Sequence, residues 1–525
     1  APEKLNTDTV QERFALFRGF LPGILNGILD GTVDIDKLNE IVVDAWADTI
    51  NAAELFNDPG TFTTFVAYEY TSSTADMGNL HRNVIFKGAD KLPAMPFSRF
   101  HSQDPEGLWN WMDELRSEGI ESFAIPHNSN GSNGQMFKLE DWADDPMDEN
   151  YTAKRIRNEP LIEITQIKGT SETHPSLSDS DEWADFEIAP YRVATTLNSE
   201  PKGSYAREAL LNGLNFQDQN KTNPYKFGFI GSSDTHVAAT SDDESNYFSK
   251  VGLMDSNAML RGSIPASEKE LATRRNNNNV QNRIKEVDGT EYISGAVETF
   301  GASGIAGVWA EANTRDAIYD AFRRKETFAT SGPRMKIRLF AGYGFDSEML
   351  NDEDVIEKAY ATGVAMGSDI LASPQIEGKS EAPSFLLWAT QDARSAPLQR
   401  LQIIKGWVVD GKHHEQVFDV ACADDGKVDS TTHRCPDNVA KVNISDCSIS
   451  EDLGAPELKT AWTDPDFNSE HQAFYYGRVM ENPTCRWSTW DAVRAGVAPR
   501  SDLHATIQER AWSSPIWFRP KREGE

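Results

Sequence analysis

Cysteine is scarce in this chain: four residues in 525, none before Cys422. Cys422, Cys435, Cys447 and Cys485 form no Cys-x-x-Cys pair, which argues against a zinc knuckle. An even number gathered in a stretch rich in Pro, Asp and Gly reads instead as two disulfides, with three pairings open. Disulfides point to an oxidising compartment, periplasmic or extracellular. Long hydrophobic runs are also missing. The most apolar stretch near the start, residues 20–29, is interrupted by Pro22, Gly23, Asn26 and Gly27 and falls short of the ~20 residues that span a bilayer. Basic charge is in deficit, 51 Lys and Arg against 82 Asp and Glu, for a net charge of −31. That field repels nucleic acid and anionic membrane, so neither is expected as a partner. A small anionic substrate would need local relief from metal ions or a few arginines. Absent as well are the Gly-x-Ser-x-Gly elbow, the Gly-x-x-x-x-Gly-Lys-[Ser/Thr] phosphate loop and the Gly-x-Gly-x-x-Gly fingerprint.

What is present suffices for large packed cores: 39% apolar residues, including 13 Trp and 26 Phe. The length exceeds what one core serves, so two or more domains are expected. Residues 1–58 read as helical, with Val10, Phe14, Leu16 and Phe17 near helical spacing and few breakers over 34–56. Short β-rich runs follow at 61–70, 81–87, 122–126, 161–167 and 227–231, with helical patterns at 105–118 and 205–212 between them. Strands alternating with helices predict an α/β domain with a largely parallel sheet or barrel, over residues 1–334. Within it, 255–295 reads as a polar surface insertion of little periodicity, and 313–325 as a helix. From 335 to 525 strands at 336–340, 384–389, 398–408 and 472–480 are joined by turns, which predicts a β-sandwich-like second domain carrying the cysteines. No internal repeat or coiled coil marks a particular oligomer.

With only ten histidines, their company is informative. Asp234 and His236 follow the apolar strand 227–231, two residues apart, and such a pair can hold a divalent ion. His127 follows the strand 122–126, Glu69 the run 66–68, and Glu163 the run 161–162. Apolar strands that repeatedly deliver Glu or His to one rim are what an α/β barrel site requires, whereas a structural core must pair each buried charge. His81, at the start of a strand, fits metal ligation or a proton donor facing substrate. The loop 168–174 adds Lys168, Glu172 and His174 beside the same rim. His101, His413, His414, His433, His471 and His504 lack such neighbours and read as surface or packing residues. A glycosidase built on a carboxylate pair remains an alternative, because sequence spacing says nothing of carboxyl separation.

Several stretches resemble a bacterial family catalogued as domain of unknown function 3604: residues 79–86 (NLHRNVIF), 166–172 (QIKGTSE), 231–236 (GSSDTH), 307–311 (GVWAE), 402–407 (QIIKGW), 473–476 (AFYY) and 509–517 (ERAWSSPIW). The family is related to the polymerase and histidinol phosphatase (PHP) superfamily of distorted β/α barrels, which bind two or three divalent ions and mostly hydrolyse phosphoesters. The resemblance implies that Glu69, His127, Asp234 and His236 are metal ligands. The superfamily also opens with a His-x-His motif and an Asp-His pair. This chain has no histidine before His81, so an upstream segment carrying those ligands, and the strands that bear them, is expected to be absent from it.

The sequence thus predicts a metal-dependent hydrolase of phosphate or sulfate esters. A metal-bound hydroxide would attack, and His81 or His174 would protonate the leaving group. The ion is zinc, manganese, iron or calcium. Glu163, Lys168 and Glu172 are secondary site candidates. The rival expectation is a non-catalytic secreted binding or surface-assembly protein on a degraded PHP-like barrel.

Overall fold

A computed structural model describes residues 31–252, 255–276, 283–373 and 381–521, with isolated positions 16, 23 and 27. Most of the helical pattern expected over residues 1–30 lies outside the described residues. From there helix α1, Ile35–Leu55, starts where the Asp34 carboxylate caps the Lys37 N–H. Its Trp46 is buried against Tyr68 and Phe86 and donates its indole N–H to the Pro93 carbonyl. Strands β1 (Ala67–Tyr70), β2 (Arg82–Phe86) and β3 (Ser122–Pro126) form a three-stranded sheet. Helix α2, Pro105–Ser117, connects β2 to β3; Asp104 caps it, Pro105 sits in its first turn, and Leu108, Met112 and Leu115 bury one face. After α3 (Glu149–Asn158) come β4 (Leu161–Gln166), the two-residue β5 (Gly169–Thr170), α4 (Ala206–Asp218) and β6 (Gly228–Gly231). A buried cluster ties these pieces together. The Glu159 carboxylate accepts from the Arg82 guanidinium and the Trp109 indole at 2.9 Å each, and from Arg155 at 3.2 Å.

The expected largely parallel arrangement is corrected here. β1–β2 and β2–β3 are antiparallel, and only β4–β6 is a parallel pair among these strands. Among the described residues the strands close into no barrel; the fold is mixed α/β with several separate sheets. β3 lies beside β4, and β6 packs on the strands Ile305–Val308 and Thr327–Thr330. Those two strands belong to an eight-stranded sheet with Asp369–Leu371, Leu398–Val409, Lys412–Cys422, Ala473–Glu481, Arg510–Ser513 and Ile516–Arg519. A four-stranded sheet contains Lys336–Gly342, Gly363–Ala365, Ser384–Thr390 and Glu457–Thr463. Alternate residues of the two sheets meet in one core, where Ile337, Leu339, Phe385 and Leu387 join Leu401, Ile403, Tyr475 and Val479. Close approach of the sheets needs Gly477, since a Cβ there would fall 2.5 Å from Leu387. A second core gathers Leu210 and Leu214 of α4 with Ile162, Ile164, Phe229, Ile404, Tyr476 and Trp512.

The polar stretch read as an insertion has structure of its own. It holds the helices Ala258–Arg261 and Glu268–Arg275 and the hairpin Arg283–Val287/Thr290–Ser294. Asp288 and Gly289, both with positive φ, turn that hairpin, so the Asp-Gly pair was a local signal stronger than the missing periodicity. The cysteines pair as Cys422–Cys435 and Cys447–Cys485, resolving the three open connectivities. Among the described residues no helix is long and apolar enough to cross a membrane.

Candidate metal centre

The antiparallel register brings three donors to one edge of the first sheet. Glu69 is at the end of β1, paired with Asn83; His81 immediately precedes β2; His127 immediately follows β3. The end of a strand, the start of its antiparallel neighbour and the end of the next all lie on the same edge. The His127 N–H extends the ladder by donating to the His81 carbonyl at 3.2 Å. Ligand atoms of Glu69, His81 and His127 all lie within 4.8 Å of one another. Glu69 Oε1 is 2.7 Å from His81 Nδ1 and 3.2 Å from His127 Nε2, and the two imidazoles meet edge to face at 5.6 Å.

Exposure differs within this triad. The His127 side chain is 4% exposed, His81 18% and Glu69 41%, so the carboxylate is the part open to solvent. Burial alone would raise the Glu69 pKa, but hydrogen bonds from His127 and His81 outweigh it and hold the carboxyl far below its usual range. Burial pushes His81 down, with only partial relief from Glu69. His127 goes up: burial disfavours its cation, yet the bond to Glu69 and the field of Glu163 prevail. His127 Nδ1 is buried with no hydrogen-bond partner among the described residues.

Behind the triad, Glu163 is 1% exposed and accepts from the Asn128 N–H at 3.2 Å and from the Ser232 hydroxyl. Burial raises its pKa. It therefore ties the turn after β3 to the turn after β6. Both turns are locally strained, with Asn128 at φ 50° and Asp234 at φ 49°, a region that Asn and Asp tolerate better than most residues.

Asp234 points to a neighbouring pole of the site. Its carboxylate forms an ion pair with Lys168 and accepts from Gln166 Nε2 at 2.7 Å. Burial raises its pKa, but Lys168, Lys250 and His127 together bring it down to about 2. His236 sits apart, 51% exposed, with Nδ1 3.1 Å from the Asp234 carbonyl and 3.9 Å from its carboxylate. Lys250, which no sequence pattern singled out, closes this side with its Nζ 3.4 Å from His236 Nδ1. Burial, with Lys168 nearby, lowers Lys250 to about 8.

Two sequence candidates lie elsewhere. Glu172 is in a sealed ionic network with Arg207, Tyr476 and Arg478. His174 bonds Ser176 and packs on Tyr205, at 2.7 Å and 5.3 Å between ring centroids respectively. A cavity of about 640 Å³, lined by Trp309, Arg324, Arg338 and Tyr360 among others, contains none of the triad.

Two imidazoles and a carboxylate on one edge are a donor set suited to a divalent transition ion, and the chain is thus a mixed α/β protein with a candidate metal centre. It belongs to the family described as "Protein of unknown function (DUF3604)", which matches residues 16–520. No curated protein and no solved structure matches the chain.

Proposed function

We propose that this protein is a metal-dependent hydrolase of phosphate or sulfate esters, exported to the periplasm or beyond, on a scaffold related to the PHP superfamily. The observation that carries the reading is the convergence of Glu69, His81 and His127 at one sheet edge. Two paired disulfides and the absence of a membrane-spanning helix among the described residues support export. The open succession of β3 beside β4, and β6 beside Thr327–Thr330, supports a barrel-like ancestry.

Glu69, His81 and His127 would hold the ion, and the nitrogen donors favour zinc, manganese or iron over calcium, which prefers all-oxygen sites. A divalent ion there supplies Lewis acidity and lowers the pKa of water. The chain's own contribution is positional. Glu163 fixes the turn bearing His127, and the pairing of β2 with β3 fixes His81 against it. In this reading His81 is a ligand, and His174 is too committed to Ser176 and Tyr205 to serve as proton donor. Asp234 and His236 form a second pole, at which Lys168 has to release Asp234 before that carboxylate can take an ion.

That Lys168–Asp234 pair also favours the second reading, a binding protein with part of its ligand set diverted. Metal analysis with phosphatase and sulfatase assays separates the two. The hydrolase reading expects about one ion or more per chain, hydrolysis of p-nitrophenyl phosphate or sulfate, and loss of both on chelation. Protein that takes up none of zinc, manganese or iron when supplied would overturn it; uptake without hydrolysis would leave the binding protein.

A further inference from the structure

The buried Lys250 has no role in the triad, and its placement is expensive. The residue is 6% exposed, and a buried ammonium costs free energy unless something anionic meets it. Four charged groups bear on it: Lys168, Asp234, Asp255 and Glu69. Asp255 is already committed, accepting from the Ser249 hydroxyl and from the N–H groups of Lys250 and Val251 at 2.7 and 3.1 Å. Glu69 is committed to the two histidines. Asp234 is held directly by Lys168 and Gln166. Lys250 Nζ makes its hydrogen-bond contact with the His236 ring nitrogen at 3.4 Å, a long contact to a group that is no anion. Among the described residues Lys250 thus has no ion pair of its own, beside a second ammonium, Lys168, that already holds Asp234.

The backbone holds this arrangement firmly. The His236 N–H donates to the Lys250 carbonyl at 2.7 Å, while the Lys250 N–H is anchored on Asp255. Lys250 is therefore locked to the turn that carries Asp234 rather than swinging on a free loop.

We infer that Lys250 and Lys168 form a clamp for the charged end of the substrate, a doubly charged tetrahedral oxyanion such as a terminal phosphate. The inference rests on the hydrolase reading and narrows it. Each ammonium offers three donors to a tetrahedral anion. Two of them beside a divalent ion match a dianion better than a singly charged end. Phosphate monoesters are thereby selected over phosphodiesters and sulfate monoesters.

The test uses two non-hydrolysable probes near pH 7.5, where Lys250 keeps most of its proton: phenylphosphonate, mostly the dianion there, and benzenesulfonate as the monoanion. Binding is measured calorimetrically, with a divalent metal supplied and after chelation, alongside metal content. The full chain is compared with Lys250→Gln and Lys250→Arg. The native protein is expected to bind phenylphosphonate at least tenfold more tightly than benzenesulfonate. Lys250→Gln should lose about tenfold in phosphonate affinity at unchanged metal content, and Lys250→Arg should recover part of it. Should Lys250→Gln not fold, Lys250→Met and Lys168→Gln carry the same comparison. Equal affinity for the two probes, undiminished phosphonate binding in Lys250→Gln, or no phosphonate binding in either metal state overturns the clamp. Lys250-dependent phosphonate binding in a chain that takes up no metal would keep the clamp and discard the hydrolase.

Discussion

Two clusters of acids and cations lie in this fold, and they are built on opposite terms. In the network around Arg207, the Glu172 carboxylate takes the Arg207 guanidinium and the Tyr476 hydroxyl. Asp181 there takes Arg478 at 2.9 and 3.0 Å and Arg207 at 2.8 Å. All four charged side chains are at most 4% exposed, and the network ties α4 and the loops before it to the strand Ala473–Glu481. Around Glu69, by contrast, one carboxylate serves two histidines, a ring nitrogen is left buried without a partner among the described residues, and the acid itself is 41% exposed. Charge of both signs is present in each. What separates them is saturation: the first has spent its hydrogen bonds on itself, and the second keeps donors in reserve for something absent from the chain. Glu172 and Glu69 look alike in sequence, each a glutamate near a strand end, and only their partners tell them apart.

The sharpest way to break this comparison is to remove one arginine. Arg207→Ala leaves Glu172 and Asp181 short of a cation in a dry interior, which is expected to cost about 3–5 kcal/mol. Urea denaturation followed by tryptophan fluorescence measures it. A loss under about 1 kcal/mol would mean that the network is not the sealed structural unit it resembles, and the contrast with the triad would fail.

Acids outside both clusters give a smaller effect with a definite sign. Burial raises Glu481 to about 8 and Glu244 to about 7, although Ser395 and Arg486 respectively act the other way. A carboxyl whose folded pKa is raised keeps its proton in the folded state. Its contribution is therefore complete below the unfolded value near 4.3 and is lost as pH climbs through 7 to 8. Glu481 alone should withdraw about 3 kcal/mol of stability between pH 6 and pH 9. Glu481→Gln should flatten that alkaline limb, and melting curves at fixed ionic strength would show it. The Arg207 network predicts the reverse limb: Asp181 is held below its usual range by Arg478 and Arg207 against burial, so its contribution is lost on acidification.

The positions of strand ends were legible in the sequence, and so were the residues attached to them. The apolar runs at 122–126 and 161–166 are strands, and His127, the polar residue after the first, lies at the rim that the chain geometry gives it. Strand direction was not legible. A helix between β2 and β3 suggests a parallel crossover, yet these strands are antiparallel, and that reversal is what makes His81 a neighbour of His127 instead of placing it at the far edge. Lys250 was invisible for a different reason. It lies in a turn-rich stretch without periodicity, and only a tertiary bond to the His236 N–H brings it to the site. Glu172 was misplaced because its partners, Arg207 and Arg478, are remote in sequence.

The smallest stability effect belongs to the triad, and it is the one that decides the comparison. Glu69→Gln keeps the size of the side chain and one oxygen acceptor for His81 or His127. The native carboxylate is 41% exposed, so solvent screening discounts whatever its ionic bonds contribute to folding. Metal-free Glu69→Gln is therefore expected to fall within about 1 kcal/mol of the metal-free native chain. Added metal should separate them. At a hundredfold excess over its dissociation constant an ion that binds only the folded state stabilises it by about 2.7 kcal/mol, and the native protein should show that gain while Glu69→Gln shows little of it. Thermal melts with and without zinc or manganese, on both proteins, contain the whole test. A substitution that costs as much as Arg207→Ala in metal-free protein would make the triad a second structural cluster. A metal-induced gain that survives it intact would move the centre away from Glu69.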